Sequence, residues 1–210
     1  ESGVGTNEMK KLKKGQKIQI TGPLGKRFNL RELRAEGFNE IHVIGGGVGM
    51  APLVFMVQAL RFFAFKVRTF IGIENFEFLK HKDNLFKGFA ENPKDVKLYV
   101  HDLLAIGVDH KDIHVSCDKT GDTDKEIPKR NFHFGLVGEQ YEQYLQKNHS
   151  RKNILAFTCG PDAMMRHIED ITAKYNIPLK VLMEKRMACG IGVCLSCVCK
   201  TKNGKGHYSR

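Results

Sequence analysis

The middle of the chain alternates short apolar runs with longer stretches in which apolar residues recur at helical spacing. Four apolar runs predict buried strands, at residues 41–44, 67–71, 112–116 and 153–158. Two longer stretches predict helices, an apolar one at residues 54–63 and an amphipathic one at residues 161–175. Because strands that alternate with helices form parallel sheets, the pattern predicts a doubly wound α/β domain, which we place at residues 37–180.

The segment before this domain follows a different pattern. Residues 16–20 alternate polar and apolar positions, as a half-buried strand does, and residues 22–25 form a strong turn. So short a segment cannot close a β-barrel by itself. We therefore expect residues 1–36 to be the incomplete end of a barrel whose first strands lie upstream of Glu1.

A glycine-rich turn follows the first predicted strand and opens the helix after it. Its residues are Gly45, Gly46, Gly47, Val48, Gly49 and Met50. Glycines let a backbone approach a pyrophosphate, and a strand–turn–helix unit places a phosphate at the helix N-terminus. The spacing is not G-x-G-x-x-G, since Met50 stands at the third glycine position, and taken alone an ordinary tight turn fits equally well.

A second turn of this kind follows the strand at residues 153–158 and consists of Cys159, Gly160 and Pro161. Ligands of open α/β sheets bind at the carboxyl ends of the strands, where both turns are expected. The two turns together therefore predict an NAD site. Cys159 could pack against the nicotinamide, and a small buried thiol is the equal alternative.

One acidic residue, Asp118, follows the strand at residues 112–116. A carboxylate there can accept a hydrogen bond from a ribose hydroxyl, which favours NAD over NADP. Asp is also a common turn residue, and that interpretation has slightly more weight.

Charge and hydropathy exclude several classes of protein. The 210 residues carry 34 Lys and Arg against 23 Asp and Glu, a net charge of +11. The basic residues are spread along the chain, so a solvated surface is favoured over nucleic-acid binding. No apolar run is long enough for a membrane helix, and a cytoplasmic location is expected. Residues 184–210 are an exception, because basic residues greatly outnumber acidic ones there. This basic rim could dock an acidic partner.

Four of the six cysteines lie close together near the C-terminus. Cys189, Cys194 and Cys197 have the C-x4-C-x2-C spacing of plant-type [2Fe-2S] proteins, which also need a fourth, more distant thiolate. Cys199 is too near to be an obvious fourth ligand, so we expect that ligand beyond Arg210. A structural zinc site is the main alternative, with His207 as a possible ligand.

Taken in order, these motifs resemble a known family. They are Gly5 with Thr6, residues 22–25, residues 45–49, residues 159–161 and the cysteine-rich residues 184–197. The series is similar to the ferredoxin-reductase-like flavoproteins. The cysteine segment narrows the resemblance to the electron-transfer subunits of NAD-dependent dihydroorotate dehydrogenases.

This resemblance implies an FAD-binding barrel contacted through Gly5 and Thr6, a central NAD domain, and a [2Fe-2S] module at residues 181–210. It implies a dihydroorotate dehydrogenase catalytic subunit as the partner, in a heterotetramer. Residues 76–111 are longer than expected for the family, and we predict a helix there followed by a strand at residues 96–100.

The implied activity is electron transfer in pyrimidine biosynthesis. Electrons would pass from dihydroorotate on the partner through the cluster and FAD to NAD, with no catalytic acid or base needed in this chain. The alternatives are a reductase subunit of a sulfide dehydrogenase or hydrogenase, and a redox or metal-binding module without turnover.

Overall fold

A computed structural model describes residues 3–22, 28–75, 99–119, 131–148, 153–185, 187–199 and 207–208. The chain divides into two compact units, a larger one formed by residues 28–184 and a smaller one formed by residues 1–27 with 185–210. The three-part division at residues 36 and 180 stays a prediction.

The larger unit contains a parallel sheet of six strands. They are β1 Glu40–Gly46, β2 Lys66–Asn75, β3 Ile113–Lys119, β4 Phe132–Phe134, β5 Ile154–Cys159 and β6 Leu179–Val181. Their order across the sheet is β4-β3-β2-β1-β5-β6, and every neighbouring pair is parallel. The predicted α/β fold is therefore confirmed, with each of the four predicted strands in place.

The described helices are α1 Val4–Lys10, α2 Leu30–Ala35, α3 Met50–Phe62, α4 Val100–Ala105, α5 Val137–Lys147 and α6 Asp162–Lys174. Both predicted helices are confirmed as α3 and α6. The smaller unit also contains an antiparallel pair, β7 Val198–Cys199 and β8 His207–Tyr208. Among the described residues, no helix has both the length and the apolar character needed to cross a membrane.

Both faces of the sheet are buried, which explains why its strands read as continuous apolar runs. Val43 packs in a cluster with Leu53 and Val57 of α3 on one face. Its neighbour Ile44 packs with Tyr141 of α5 and other residues on the opposite face. Alternate residues of β1 therefore serve two separate cores.

The strand order creates a switch point beside β1. From β1 the chain moves outward through β2, β3 and β4, and then returns to place β5 on the other side of β1. In open α/β sheets the crevice at such a reversal, outside the carboxyl ends of the strands, is where ligands bind. The fold therefore directs attention to the carboxyl ends of β1 and β5.

Two predictions about local structure are wrong. The strand expected at residues 16–20 does not form, and Ile18 and Ile20 are 61% and 81% exposed. A strand needs a hydrogen-bonded neighbour and a core to cover its apolar face, and the described residues offer this segment neither. The strand expected at residues 96–100 is contradicted at its end, because Val100 is the first residue of helix α4. Residues 76–98, which include the start of that strand, lie outside the described part of the chain.

A buried ionic network at the amino edge of the sheet joins β1 and β2 to Asp112, the residue before β3. Arg68 donates from Nε to Glu40 Oε1 at 2.7 Å and also pairs closely with Asp112. The Nε2 atom of His42 lies 3.3 Å from the same Glu40 oxygen. Burial alone would raise the pKa of Glu40, but the hydrogen bonds from His42 and Arg68 outweigh burial and lower it well below its usual value.

We expect Arg68→Met to destabilise the protein by about 3–5 kcal/mol, because it leaves two buried carboxylates without their common partner. Urea unfolding at pH 7 measures the change. Lys174→Met is the matched control, since Lys174 pairs with Glu142 on the surface and exposed pairs contribute about 0–1 kcal/mol. Equal losses in the two variants would contradict this expectation.

The same network makes a pH prediction. Because folding lowers the pKa of Glu40 from its ordinary 4.5, its contribution to stability is complete above that pH and is lost as the pH falls below it. Arg68→Met should reduce this acid-dependent loss, since the pKa of Glu40 is then less depressed. Unfolding free energies measured between pH 7 and pH 3 would show the shallower slope.

Candidate functional site

The first glycine turn is built at the end of β1. The strand ends at Gly46, residues Gly47–Gly49 form one turn of 3-10 helix, and α3 begins at Met50. Gly47 has a φ of +54°, in the left-handed region. The predicted strand–glycine turn–helix unit is therefore present, with the turn at the switch point.

The two predicted turns are in close contact. Gly45 of β1 is in register with Cys159 of β5, so both strands end side by side. A Cβ atom placed on Gly49 would lie 2.5 Å from the carbonyl oxygen of Cys159 and 2.7 Å from the amide nitrogen of Gly160. Only glycine permits this approach, because the obstacle is backbone and cannot move aside as a side chain can.

The crevice between these turns favours an anion. Helices α3 and α6 both begin at this edge of the sheet, and no side chain caps either N-terminus. The positive ends of two helix dipoles and the backbone of the glycine turn therefore face the same region. These features fit the pyrophosphate of a dinucleotide. The NAD-binding roles of residues 45–50 and 159–161 remain predictions.

Cys159 lies at the carboxyl end of β5 and is 6% exposed. Burial raises the pKa of its thiol, and the nearby carboxylate of Glu184 raises it further. The thiol therefore stays protonated at neutral pH, which suits a small packing residue and does not suit a nucleophile.

Asp118 is not part of this crevice. It lies exposed near the end of β3, and β2 separates β3 from β1. Asp118 lies at the carboxyl edge of the sheet, which is compatible with the ribose contact predicted for it. Only an extended ligand would reach both Asp118 and the glycine turn.

The two residues predicted to contact FAD are not in a cleft. Gly5 and Thr6 lie in helix α1 and are exposed, and no atom would come within 4 Å of a Cβ atom placed on Gly5. The described residues therefore do not form a flavin cradle around this pair.

The cysteine loop is arranged to hold thiolates. The amide of Cys194 donates to Cys189 Sγ over 3.4 Å, and Gly190 and Gly192 have φ angles of +70° and +82°. Backbone hydrogen bonds from Cys194, Ile191 and Val193 lower the pKa of Cys189 to about 6. Amide donors aimed at sulfur are what an iron–sulfur loop requires, so the loop fits the predicted cluster.

Ser196 is a functional candidate that the sequence pattern did not single out. Its hydroxyl lies 3.3 Å from Cys194 Sγ and accepts a hydrogen bond from the amide of Ala188. Hydrogen bonds from Ser196 lower the pKa of the Cys194 thiol. In the sequence, the only sign of this role is the position of Ser196 between two predicted cysteine ligands.

The third predicted ligand is more buried than this pair. Cys197 is buried, at 7% exposure. Within the described ranges, no three His, Cys, Asp or Glu side chains are grouped to hold a single metal ion. A two-iron cluster would spread its four thiolate ligands over two irons, so the three cysteines need not converge on one ion to hold it. The metal-binding roles of all three remain predictions.

We expect Gly49→Ala to destabilise the larger unit by about 1–3 kcal/mol, because its methyl group would overlap the backbone of Cys159. Chemical unfolding measures the loss. Ala51→Val is the matched control, since it adds two methyl groups at an exposed position two residues along the same chain. A loss of the same size in the control would show that the contact with β5 is not responsible.

The cysteine loop gives a second expectation. In the metal-free protein, alkylation of Cys189 by iodoacetamide should rise with pH through about 6, since the thiolate is the reacting form. Gly192→Ala should move this midpoint upwards, because alanine is strained at a φ of +82° and displaces the neighbouring amides. Peptide mass spectrometry across a pH series gives both midpoints, and identical midpoints would contradict the role of the amides.

Comparison with known proteins shows which proteins this chain resembles. Residues 184–210 match the model of the iron-sulfur cluster binding domain of dihydroorotate dehydrogenase B. The chain is 30% identical over 207 residues to the electron transfer subunit of dihydroorotate dehydrogenase B (NAD(+)) from Clostridium perfringens, covering 96% of this chain and 65% of that protein. The corresponding subunit of Clostridium acetobutylicum is 30% identical over 203 residues, covering 97% and 64%.

A structural comparison agrees on the fold. A solved NADH-dependent reduced ferredoxin-NADP oxidoreductase has a TM-score of 0.65 at 20% identity, covering 98% of this chain and 60% of that one. The chain spans just under two thirds of the length of the curated relatives above. These matches confirm the predicted resemblance: over most of its length the chain is similar to the electron transfer subunits of NAD-dependent dihydroorotate dehydrogenase B.

Proposed function

We propose that this chain is part of an electron transfer subunit that passes electrons from a dihydroorotate dehydrogenase catalytic subunit to NAD, in pyrimidine biosynthesis. The observation that carries the proposal is the cysteine loop, in which backbone amides lower the pKa of Cys189 to about 6. The same chain carries the glycine crevice suited to a dinucleotide. An anion-binding crevice and a thiolate loop in one polypeptide suit the passage of electrons between a one-electron cluster and NAD.

The proposed cofactors are a [2Fe-2S] cluster, NAD and FAD. Cys189, Cys194 and Cys197 would hold the cluster, which supplies one-electron transfer when bound. Residues 45–50 and 159–161 would hold NAD. The proposal of FAD rests on the relatives, because Gly5 and Thr6 form no cradle in the described structure. A compartment that keeps thiols reduced, such as the cytoplasm, suits the free cysteines.

The surface of the cysteine loop suits a protein partner. Met187, Ile191, Val193 and Leu195 are 56%, 58%, 74% and 46% exposed. Clustered exposed apolar residues mark interaction sites, and an electron carrier must approach the cluster closely. We propose that this apolar collar docks the catalytic subunit, in the heterotetramer expected from the family resemblance. We also predict that a basic rim formed by Lys200, Lys202 and Lys205 adds positive charge beside this collar. These three residues lie outside the described part of the chain.

The test is NAD reduction by dihydroorotate in the protein co-produced with a dihydroorotate dehydrogenase catalytic subunit. We expect Cys194→Ser to remove the cluster signal in electron paramagnetic resonance and to lower NAD reduction at least 100-fold. Reduction of a dye by dihydroorotate on the catalytic subunit should continue, since that reaction does not use the cluster. The dye reaction is therefore the internal control.

Three results would contradict the proposal. Undiminished NAD reduction in Cys194→Ser would show that electrons bypass the loop. A complex that reduces NAD with sulfide or hydrogen as donor, and not with dihydroorotate, would favour the alternative reductase subunits. A colourless protein that binds only zinc would instead favour a module without turnover.

A further inference from the structure

A histidine–carboxylate pair lies at the carboxyl edge of the sheet, outside the glycine crevice. His133 Nε2 and Glu139 Oε2 are 3.1 Å apart, and the two side chains are 19% and 52% exposed. The same Glu139 oxygen accepts a hydrogen bond from the amide of Leu136 at the start of α5. Two partners therefore fix the position of the Glu139 carboxylate.

This pair lies beside the end of β3. The amide of Gly135 donates to the carbonyl oxygen of Cys117 over 2.9 Å, which joins the residue after β4 to the residue before Asp118. A Cβ atom on Gly135 would collide with both Glu139 and His133, so the pair occupies the space directly above Gly135.

Strand alternation places Asp118 on the same side. Ser116 of β3 is in register with His133 of β4, so these two residues point to the same face of the sheet. Asp118 lies two residues after Ser116 and shares its face. Asp118 and Glu139 are therefore two carboxylates at one edge and on one face, and His133 of β4 contacts Glu139 of α5.

A dinucleotide in the crevice would reach this place. With its nicotinamide towards Cys159 and its pyrophosphate at the turn of β1, its adenosine half extends in the direction of β2 and β3. Neighbouring strands are about 4.8 Å apart, so the end of β3 lies roughly 10 Å from that of β1. The ribose that carries the 2′-hydroxyl, or the 2′-phosphate of NADP, is the part of the ligand that spans this distance.

We propose that Glu139, positioned by His133, acts beside Asp118 as a second carboxylate that excludes a 2′-phosphate, and so selects NAD over NADP. This inference rests on the nucleotide site of the proposed function. A 2′-phosphate carries up to about two negative charges at neutral pH, so a nearby carboxylate repels it. The 2′-hydroxyl of NAD carries no charge and is accepted.

The test compares binding of nucleotides that differ only in the 2′-phosphate: AMP with 2′-phospho-AMP, and NADH with NADPH. We expect Glu139→Gln to improve binding of the 2′-phosphorylated nucleotide about tenfold relative to its partner. Glutamine can still accept from the Leu136 amide and contact His133, so the start of α5 is kept. Binding of AMP and NADH should stay within about twofold, since no interaction with the 2′-hydroxyl needs the charge.

Glu142→Gln is the matched control. It removes the same charge from the same helix, at a residue that pairs with Lys174 of α6. Its nucleotide preference should equal that of the unmodified protein. Asp118→Asn combined with Glu139→Gln should shift the preference further than either change alone.

A measurement on the unmodified protein does not depend on how well a variant folds. Raising the salt concentration from about 0.02 M to about 0.3 M should narrow the preference for NADH over NADPH, because salt screens the repulsion. Thermal unfolding of every variant accompanies the titrations.

The outcomes separate the two proposals. An unchanged preference in a folded Glu139→Gln, or an equal shift in Glu142→Gln, overturns this inference and leaves the NAD site standing. A preference that does not respond to salt also overturns it. If the unmodified protein binds none of the four nucleotides, the proposed NAD site fails and this inference fails with it.

Discussion

The contact of Gly49 with the backbone of Cys159 is the constraint on which the larger unit depends. It joins the ends of two strands that are far apart in the sequence, since Gly45 of β1 is in register with Cys159, the last residue of β5. A side chain at this position would push the glycine turn away from the end of β5 and would disturb the two walls of the crevice. The same glycine that permits the packing therefore creates the binding surface.

Much of the larger unit could be predicted from the sequence, because its strands are buried on both faces and its helices have clear apolar stripes. The two turns could be predicted to meet for the same reason, since carboxyl ends of parallel strands lie at one edge. The barrel strand at residues 16–20 could not. Alternation shows only that one face needs cover, and the described residues provide no neighbouring strand for it.

Other features were beyond sequence reasoning because they depend on distances between side chains far apart in the chain. Arg68 and Asp112 are separated by 44 residues, and nothing in their local sequences indicates a buried ion pair. The cysteine ligands of the loop at residues 187–199 could be predicted from their spacing alone. The hydrogen bonds from Ser196 and from the amides around Cys189 could not, because their directions depend on φ angles that spacing does not reveal. The Glu139 pair depends likewise on the register of β3 with β4.

The two candidate sites use the same physical device. A cysteine thiolate and a pyrophosphate are both anions. Backbone amides of a glycine-containing loop donate to Cys189, and the glycine turn after β1 would present amides to a bound pyrophosphate in the same way. Neutral donors stabilise negative charge without adding a mobile cation beside an electron carrier. The net charge of +11 is then left to the outer surface, where it can raise the rate of encounter with an acidic partner. Nucleotide choice at the proposed NAD site would instead use the negative charge of Glu139 to repel a 2′-phosphate.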